Sequence, residues 1–172
     1  MEPVFVNKYI HTKDLFIEMN HKYNELQIIL LGSLFFVLFI GLSLLGYFCL
    51  DNIPYSVATA ILGIIFTFYP YFRIKIIAAK REKQYLELFG TIPESETLFF
   101  DDRIESVSRT TNAELKLEYE KIKKIKQSKN MYLLILSKSL VVMVNKNGFI
   151  KGDCEDFADF IKGKAINAKI KL

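Results

Sequence analysis

The sequence contains little cysteine, and its two thiols lie far apart in the chain. Cys49 and Cys154 are the two cysteines among 172 residues, and they form no Cys-x-x-C pair. A zinc site built on such a pair is therefore not expected. Because the patterns described below place the two residues on opposite sides of a membrane, no disulfide between them is predicted either.

The sequence also lacks the common signatures of catalysis and nucleotide binding. It has neither a phosphate-cradling Gly-x4-Gly-Lys-Ser/Thr loop nor a Gly-x-Ser-x-Gly nucleophile elbow. Neither His11 nor His21 stands in a recognisable catalytic pattern. The net charge of +4 is well below the strongly basic footprint of a nucleic-acid-binding protein. We therefore expect no enzymatic activity, no cofactor and no nucleic-acid partner.

Charged residues are missing from two long apolar runs, Leu26–Leu50 and Ile53–Phe72. Each run has the roughly 20 residues that a helix needs to cross a bilayer. Two segments cannot close a barrel, so the backbone must satisfy its hydrogen bonds as helix. Buried helices of a soluble protein are the alternative, but these normally show a polar face. The runs predict a transmembrane hairpin, and their lack of ionisable groups favours an anchor over a transport path.

Cations flank this hairpin, whereas the loop between the runs carries only Asp51. Before the first run lie Lys8, Lys13 and Lys22, and after the second run lie Arg73, Lys75, Lys80, Arg81 and Lys83. Lys and Arg are retained on the cytoplasmic side of membrane proteins. We therefore predict two spans in the cell membrane, with both termini in the cytoplasm.

The segments that flank the spans show weaker but readable patterns. Residues 4–10 have the β-branched and aromatic content of a short strand, and Thr12 is a plausible N-cap for an amphipathic helix that leads into the first span. Small residues at Gly41, Gly46, Ala60 and Gly63 are candidates for the contact between the spans. The second helix should continue to residue 88 and end before Gly90. We divide the chain at residues 1–25, 26–77, 78–93 and 94–172.

The last division alternates apolar and polar residues at the period of β-strands. Strands are expected at 97–100, 103–108, 114–119, 131–136 and 140–144, with turns at 101–102, 110–112, 137–139 and 147–148. Asp153 can cap a final helix whose apolar stripe includes Phe157, Phe160, Ile161 and Ala165. The predicted fold class is an α+β membrane protein: a two-helix transmembrane hairpin with a small antiparallel β-barrel or sheet covered by a C-terminal helix.

This order of parts resembles the YcxB-like family of bacterial membrane proteins. The residues that carry the resemblance are Phe99-Phe100-Asp101-Asp102-x-Ile104, Leu117-x-Tyr119-x-x-Ile122-x-Lys124, Tyr132-Leu133-Leu134-Ile135, Lys146-x-x-Phe149 and Phe157-x-x-Phe160. The sequence departs from the family pattern at Asn145, where a proline is expected. The resemblance implies a membrane hairpin that carries a pleckstrin-homology-like barrel. It implies no biochemical activity, because the family has none established.

A lysine-rich segment within this region is the main candidate for binding. It contains Lys121, Lys123, Lys124, Lys126 and Lys129, and near a membrane each cation contributes about 1 kcal/mol of attraction to anionic headgroups. The alternative interpretation is a solvated strand face, in which Glu118 and Glu120 balance part of the charge.

His11, Asp14, Glu18 and His21 follow spacings of three, four and three residues, which would place metal ligands on one helix face. We favour the polar side of an amphipathic helix instead, because His11 precedes the N-cap at Thr12. The acidic pair Asp101 and Asp102 is likewise assigned to a turn.

Together these patterns predict a non-enzymatic, membrane-anchored interaction module. It would present a pleckstrin-homology-like domain to a protein or to anionic lipid, and homo-oligomerisation is left open. The alternative is a small accessory subunit of a larger membrane transport or secretion complex, which would be contacted through the spans.

Overall fold

The computed structural model describes residues 2–110, 113–138 and 140–171 of the chain. Two compact units are present, one of residues 24–79 and one that combines residues 1–23 with residues 80–172. The turn positions predicted at Thr111, Asn112 and Ser139 lie outside the described residues.

Two long helices, α1 at Lys13–Phe48 and α2 at Ile53–Phe89, account for most of the unit at residues 24–79. Both are long and apolar enough to cross a membrane, and most of their apolar side chains face outward. Asp51, in the connection between them, has a positive φ of 46°. The predicted helical hairpin is confirmed, and α2 continues past the apolar run to Phe89, next to Gly90.

Small residues bring the two helices of this unit close together. A Cβ at Gly63 would lie 2.7 Å from the Cβ of Phe39, and a Cβ at Gly46 would meet the Tyr55 ring. The Ser43 hydroxyl donates a hydrogen bond of 2.9 Å to the Ser56 carbonyl. Gly46 and Gly63 therefore lie at the helix contact as expected, whereas a Cβ at Gly41 would meet no atom within 4 Å.

The other unit contains two sheets and a third helix. The strands are β1 Phe5–Ile10, β2 Glu94–Phe99, β3 Arg103–Ser108, β4 Ala113–Glu118, β5 Lys124–Gln127, β6 Met131–Ile135, β7 Val141–Asn145, β8 Phe149–Lys151 and β9 Lys169–Lys171, and helix α3 spans Cys154–Lys164. One sheet has the order β4-β3-β2-β1-β8 and the other has the order β7-β6-β5-β9. All strand pairs are antiparallel except β5 with β9.

The N-terminal strand β1 lies inside the five-stranded sheet, between β2 and β8. Its register with β2 runs from Phe5 opposite Phe99 to Ile10 opposite Glu94. The His11 N–H extends this ladder by donating to the Pro93 carbonyl at 2.9 Å. The whole hairpin sequence is thus inserted between two neighbouring strands of one sheet.

Helix α3 and the inner faces of both sheets share one hydrophobic core. The Asp153 side chain caps α3 by accepting hydrogen bonds from the N–H groups of Glu155 and Asp156, as predicted. Phe157 and Ile161 on this helix are fully buried. The described strands form two separate open sheets, and the turn after β7 carries the chain from the four-stranded sheet to the five-stranded one. The predicted sheet with a C-terminal helix is confirmed in this open, two-sheet form.

Candidate functional site

The lysine-rich segment does not behave as one surface, because Lys126 is buried. Its side chain is only 7% exposed. The Nζ atom donates hydrogen bonds to the backbone carbonyls of Lys22 at 2.6 Å and Tyr23 at 3.0 Å, both on α1. Lys126 therefore binds the start of α1 instead of facing solvent.

The first turns of α1 cover the outer face of the four-stranded sheet. Besides the bonds from Lys126, the Tyr23 hydroxyl donates to the Lys138 carbonyl at 2.8 Å. Leu133, the register partner of Lys126, is completely buried, although it belongs to the face opposite the shared core. Helix α1, which begins at Lys13, thus packs on this sheet before its apolar run starts at Leu26.

Glu18 fixes the same helix to the turn that precedes β6. Its carboxylate accepts hydrogen bonds from the Asn130 backbone N–H at 2.7 Å and from the Asn130 side-chain amide at 2.8 Å. Burial by itself would raise the pKa of Glu18, but these bonds, a bond from Ser128 and the charge of Lys146 outweigh it and lower the pKa. Glu18 is therefore a structural carboxylate that stays ionised.

The histidine and carboxylate pattern on α1 is not brought together as a metal site. His11 precedes the helix, and its Nε2 lies 2.6 Å from the Ser95 hydroxyl oxygen. Residues 2–110, 113–138 and 140–171 contain no group of three or more His, Cys, Asp or Glu side chains that could hold a metal ion. Thr12 is the N-cap, since its hydroxyl accepts from the Leu15 N–H at 3.4 Å.

His11 lies in a partly apolar environment just after β1, where its N–H bonds to the carbonyl of Pro93, the residue before β2. Burial, and to a lesser extent the charge of Arg81, lowers the pKa of His11 to about 4. The Arg81 guanidinium lies 4.6 Å from the centre of the Phe16 ring and donates to the Tyr85 hydroxyl. His11 is therefore neutral near pH 7, and Arg81 has a packing role besides its predicted role in topology.

The other cations that were predicted to set the orientation of the hairpin in the membrane lie at exposed positions of α2. Lys75 lies 5.4 Å from the centre of the Tyr71 ring, and Lys83 pairs with Glu87 at 3.6 Å. Arg73 and Lys80 are also exposed.

Four lysines of the predicted set point away from the buried interior. Lys121 forms an ion pair with Glu118 at 3.2 Å. Lys123 and Lys129 are exposed, and Lys124 is partly exposed. In the described part of the chain, no carboxylate lies within ion-pair distance of Lys123, Lys124 or Lys129.

Strand β9 adds a cation that the sequence patterns did not identify. Lys169 is exposed and lies beside Lys124, its register partner on the parallel strand β5. The Lys169 N–H donates to the Lys123 carbonyl at 3.0 Å. Residues 124–126 and 169–171 are the same tripeptide, Lys-Ile-Lys, but nothing in that identity predicts that the two segments pair. Lys123, Lys124 and Lys169, hereafter the β5–β9 lysine cluster, form the strongest candidate binding surface.

On the five-stranded sheet, by contrast, the cations form ion pairs with carboxylates. Its ion pairs join Lys8 to Glu94 at 2.9 Å, Arg103 to Glu105 at 2.8 Å, Lys116 to Glu105 at 3.5 Å and Lys151 to Glu2 at 3.3 Å. Arg109 likewise binds Glu96. Among the described residues, Lys123, Lys124 and Lys169 lack such partners, so the β5–β9 edge is suited to electrostatic binding of an anion.

Comparison with known proteins gives a match at the level of the family. A family model described as YcxB-like protein matches residues 99–161, from the end of β2 into α3. This match confirms the resemblance inferred from the sequence and leaves β1 and β9 outside the matched region. Neither a curated protein nor a solved structure matches the chain.

Proposed function

On the premise that residues 99–161 form a YcxB-like domain, we propose that the chain is a membrane-anchored, non-enzymatic interaction module. The helical hairpin anchors it in the cell membrane. The pleckstrin-homology-like domain lies at the cytoplasmic face, where it binds a protein or anionic-lipid partner.

The pairing of β1 with β2 is the observation that carries this proposal. These strands precede and follow the hairpin in the sequence, yet they are antiparallel neighbours over Phe5–Ile10 and Glu94–Phe99. A hairpin inserted between two paired strands must leave and return on the same side of a membrane. The flanking cations at Arg73, Lys75 and Lys80 then favour the cytoplasm as that side.

The two charge-free runs within the helices, Leu26–Leu50 and Ile53–Phe72, support an anchoring role for the hairpin. Apolar side chains on both helices face outward, and the small polar residues Ser43, Ser56 and Thr59 bond within the hairpin instead. Polar groups that are satisfied internally are what a bilayer requires of a spanning segment. The binding role falls to the domain, because the β5–β9 lysine cluster has no carboxylate partner among the described residues.

Cysteine labelling in intact cells tests the orientation. In a Cys49→Ser, Cys154→Ala background, Asp51→Cys should react with a membrane-impermeant maleimide added from outside. The matched variant Glu114→Cys, at an exposed position of β4, should react only after the cells are permeabilised. Reaction of Glu114→Cys in intact cells, or protection of Asp51→Cys, would overturn the proposed orientation.

Site-specific photo-cross-linking tests the binding role with the full chain in its native membrane. A cross-linking residue at Lys129 should capture a protein or lipid partner, whereas one at Leu34 on the exposed face of α1 should capture bulk lipid. Protein capture from Leu34 alone would instead support the accessory-subunit function. Capture of the same chain would identify a homo-oligomer.

A further inference from the structure

We infer that the β5–β9 lysine cluster is a binding site for the anionic headgroups of phospholipids. This inference rests on the proposed function, because the membrane anchor is what brings the domain to a lipid surface. It narrows that function by naming the partner and the three residues that bind it: Lys123, Lys124 and Lys169.

The geometry of the two strands places like charges side by side. Lys124 and Lys169 are register partners, so their side chains leave the sheet on the same face. Lys123 directly precedes Lys124 at this end of the strand pair, where its carbonyl accepts the Lys169 N–H, and its side chain is exposed. Like charges that face each other across strands destabilise a sheet. A bound anion removes that repulsion, so the arrangement favours an occupied site.

The cluster lysines differ from the lysines of the five-stranded sheet in having no carboxylate partner within the described part of the chain. Lys116 and Lys151 each have a carboxylate partner, at 3.5 Å and 3.3 Å. The three cluster lysines have none among the described residues. A polyanionic surface should therefore bind at the β5–β9 edge before it binds elsewhere on the domain.

The surroundings of the cluster favour a lipid as its occupant. Lys126 follows Lys124 on the same face of β5, and its Nζ binds the α1 carbonyls of Lys22 and Tyr23. The apolar run of α1 begins at Leu26, three residues after Tyr23 in the sequence. Lysines close to the start of a spanning segment are typical of contacts with anionic headgroups. An acidic protein is the competing occupant, and the experiment below distinguishes the two.

Vesicle binding by the full chain tests the inference. The protein is held in phosphatidylcholine nanodiscs and sedimented with vesicles of phosphatidylcholine, either with or without phosphatidylglycerol. We expect binding that depends on phosphatidylglycerol and weakens as salt is raised. Each Lys→Gln change at 123, 124 and 169 should lower the affinity about fivefold, so the triple variant should lose about 100-fold.

The double variant Lys116→Gln, Lys151→Gln is the matched control, because it removes two lysines that are already paired. It should bind the vesicles like the unaltered chain. The circular dichroism spectrum of the triple variant must match that of the unaltered chain, because all three changes lie at solvent-facing positions. If the triple variant folds and still binds anionic vesicles fully, the inference is wrong.

Three further outcomes separate this inference from the proposed function. Equal competition by inorganic phosphate and by soluble short-chain phosphatidylglycerol would show that the cluster selects phosphate and not a lipid surface. Failure to bind any vesicle, together with capture of an acidic protein by the Lys129 cross-linker, would overturn the lipid site but leave the interaction module intact. If Asp51→Cys reacts with the impermeant maleimide only after the cells are permeabilised, the proposed orientation is wrong and the proposed function falls with it.

Discussion

Ile10 and Glu94 are antiparallel partners in one sheet, although α1 and α2 separate them in the chain. The ladder continues past them, since the His11 N–H donates to the Pro93 carbonyl. Because β1 also pairs with β8, this N-terminal strand joins two parts of the five-stranded sheet. The YcxB-like domain is therefore completed by residues that lie on the other side of the hairpin in the sequence.

Truncation tests this dependence on β1. A fragment of residues 90–172 lacks β1, leaves the edges of β2 and β8 unpaired and loses Phe5 from the core, so we expect it to aggregate or remain unfolded. A fusion of residues 1–23 to residues 80–172 through a flexible Gly/Ser linker retains the whole unit and should fold. Circular dichroism and size-exclusion chromatography compare them. A folded, monomeric 90–172 fragment would show that β1 is dispensable.

Charge reversal distinguishes the structural role of the buried Lys126 from the surface position of Lys123. Lys126→Glu places a buried carboxylate against the carbonyls of Lys22 and Tyr23, so it should destabilise the domain by about 3–5 kcal/mol. Lys123→Glu changes an exposed side chain and should alter stability by less than about 0.5 kcal/mol. Thermal unfolding can be followed in detergent through the reaction of Cys154 with a thiol-reactive dye in a Cys49→Ser background.

The variant Lys126→Met is the control for side-chain volume in the comparison with Lys126→Glu. It removes the charge and the two hydrogen bonds but keeps an apolar stem over Leu133, so its cost should be smaller than that of Lys126→Glu. Equal stability of Lys126→Glu and Lys123→Glu would contradict the structural role of Lys126.

Local signals in the sequence were sufficient for most of the fold. The alternation of Arg103–Ser108 predicts β3 with its observed ends, and Asp153 caps α3 as its position before an apolar stripe indicates. The charge-free runs likewise predict the two long helices. Each of these features depends on residues that are near one another in the chain, which is why a sequence pattern reveals them.

The remaining features depend on distant partners. Strand β9 has only three residues and exists because Lys-Ile-Lys at 169–171 pairs with the same tripeptide at 124–126. Lys126 differs from Lys124 only because α1 covers its position, which no periodicity within the lysine-rich segment indicates. The sequence therefore predicted Lys123 and Lys124 as candidate contacts, which stays a prediction, but it did not identify Lys169, and it grouped the buried Lys126 with exposed residues.

Acid should destabilise the domain through His11. Its pKa is lowered from 6.5 to about 4 in the folded protein, so the unfolded chain binds a proton more readily between these values. The stabilisation is complete above pH 6.5 and is lost as the pH falls towards 4, with an upper limit of about 3 kcal/mol. Circular dichroism melting of the full chain in detergent across this range measures the loss.

His11→Gln is the matched variant for this pH dependence. It keeps a polar group in reach of the Ser95 hydroxyl but cannot titrate, so its melting temperature should vary less between pH 6.5 and 4 than that of the unaltered chain. The same acid response in both proteins would show that other groups, such as carboxylates, cause it.

Two glycines of the hairpin should respond oppositely to the same substitution. A Cβ at Gly63 would lie 2.7 Å from the Phe39 Cβ, closer than carbon atoms pack, so Gly63→Ala must push α1 and α2 apart. We expect a cost of about 1–3 kcal/mol for this overpacking. Gly41→Ala adds a methyl group where nothing lies within 4 Å, and it should be neutral or stabilising because alanine is the better helix former. The loss of helical circular dichroism on heating in detergent compares the two variants, and equal melting temperatures would refute the close contact at Gly63.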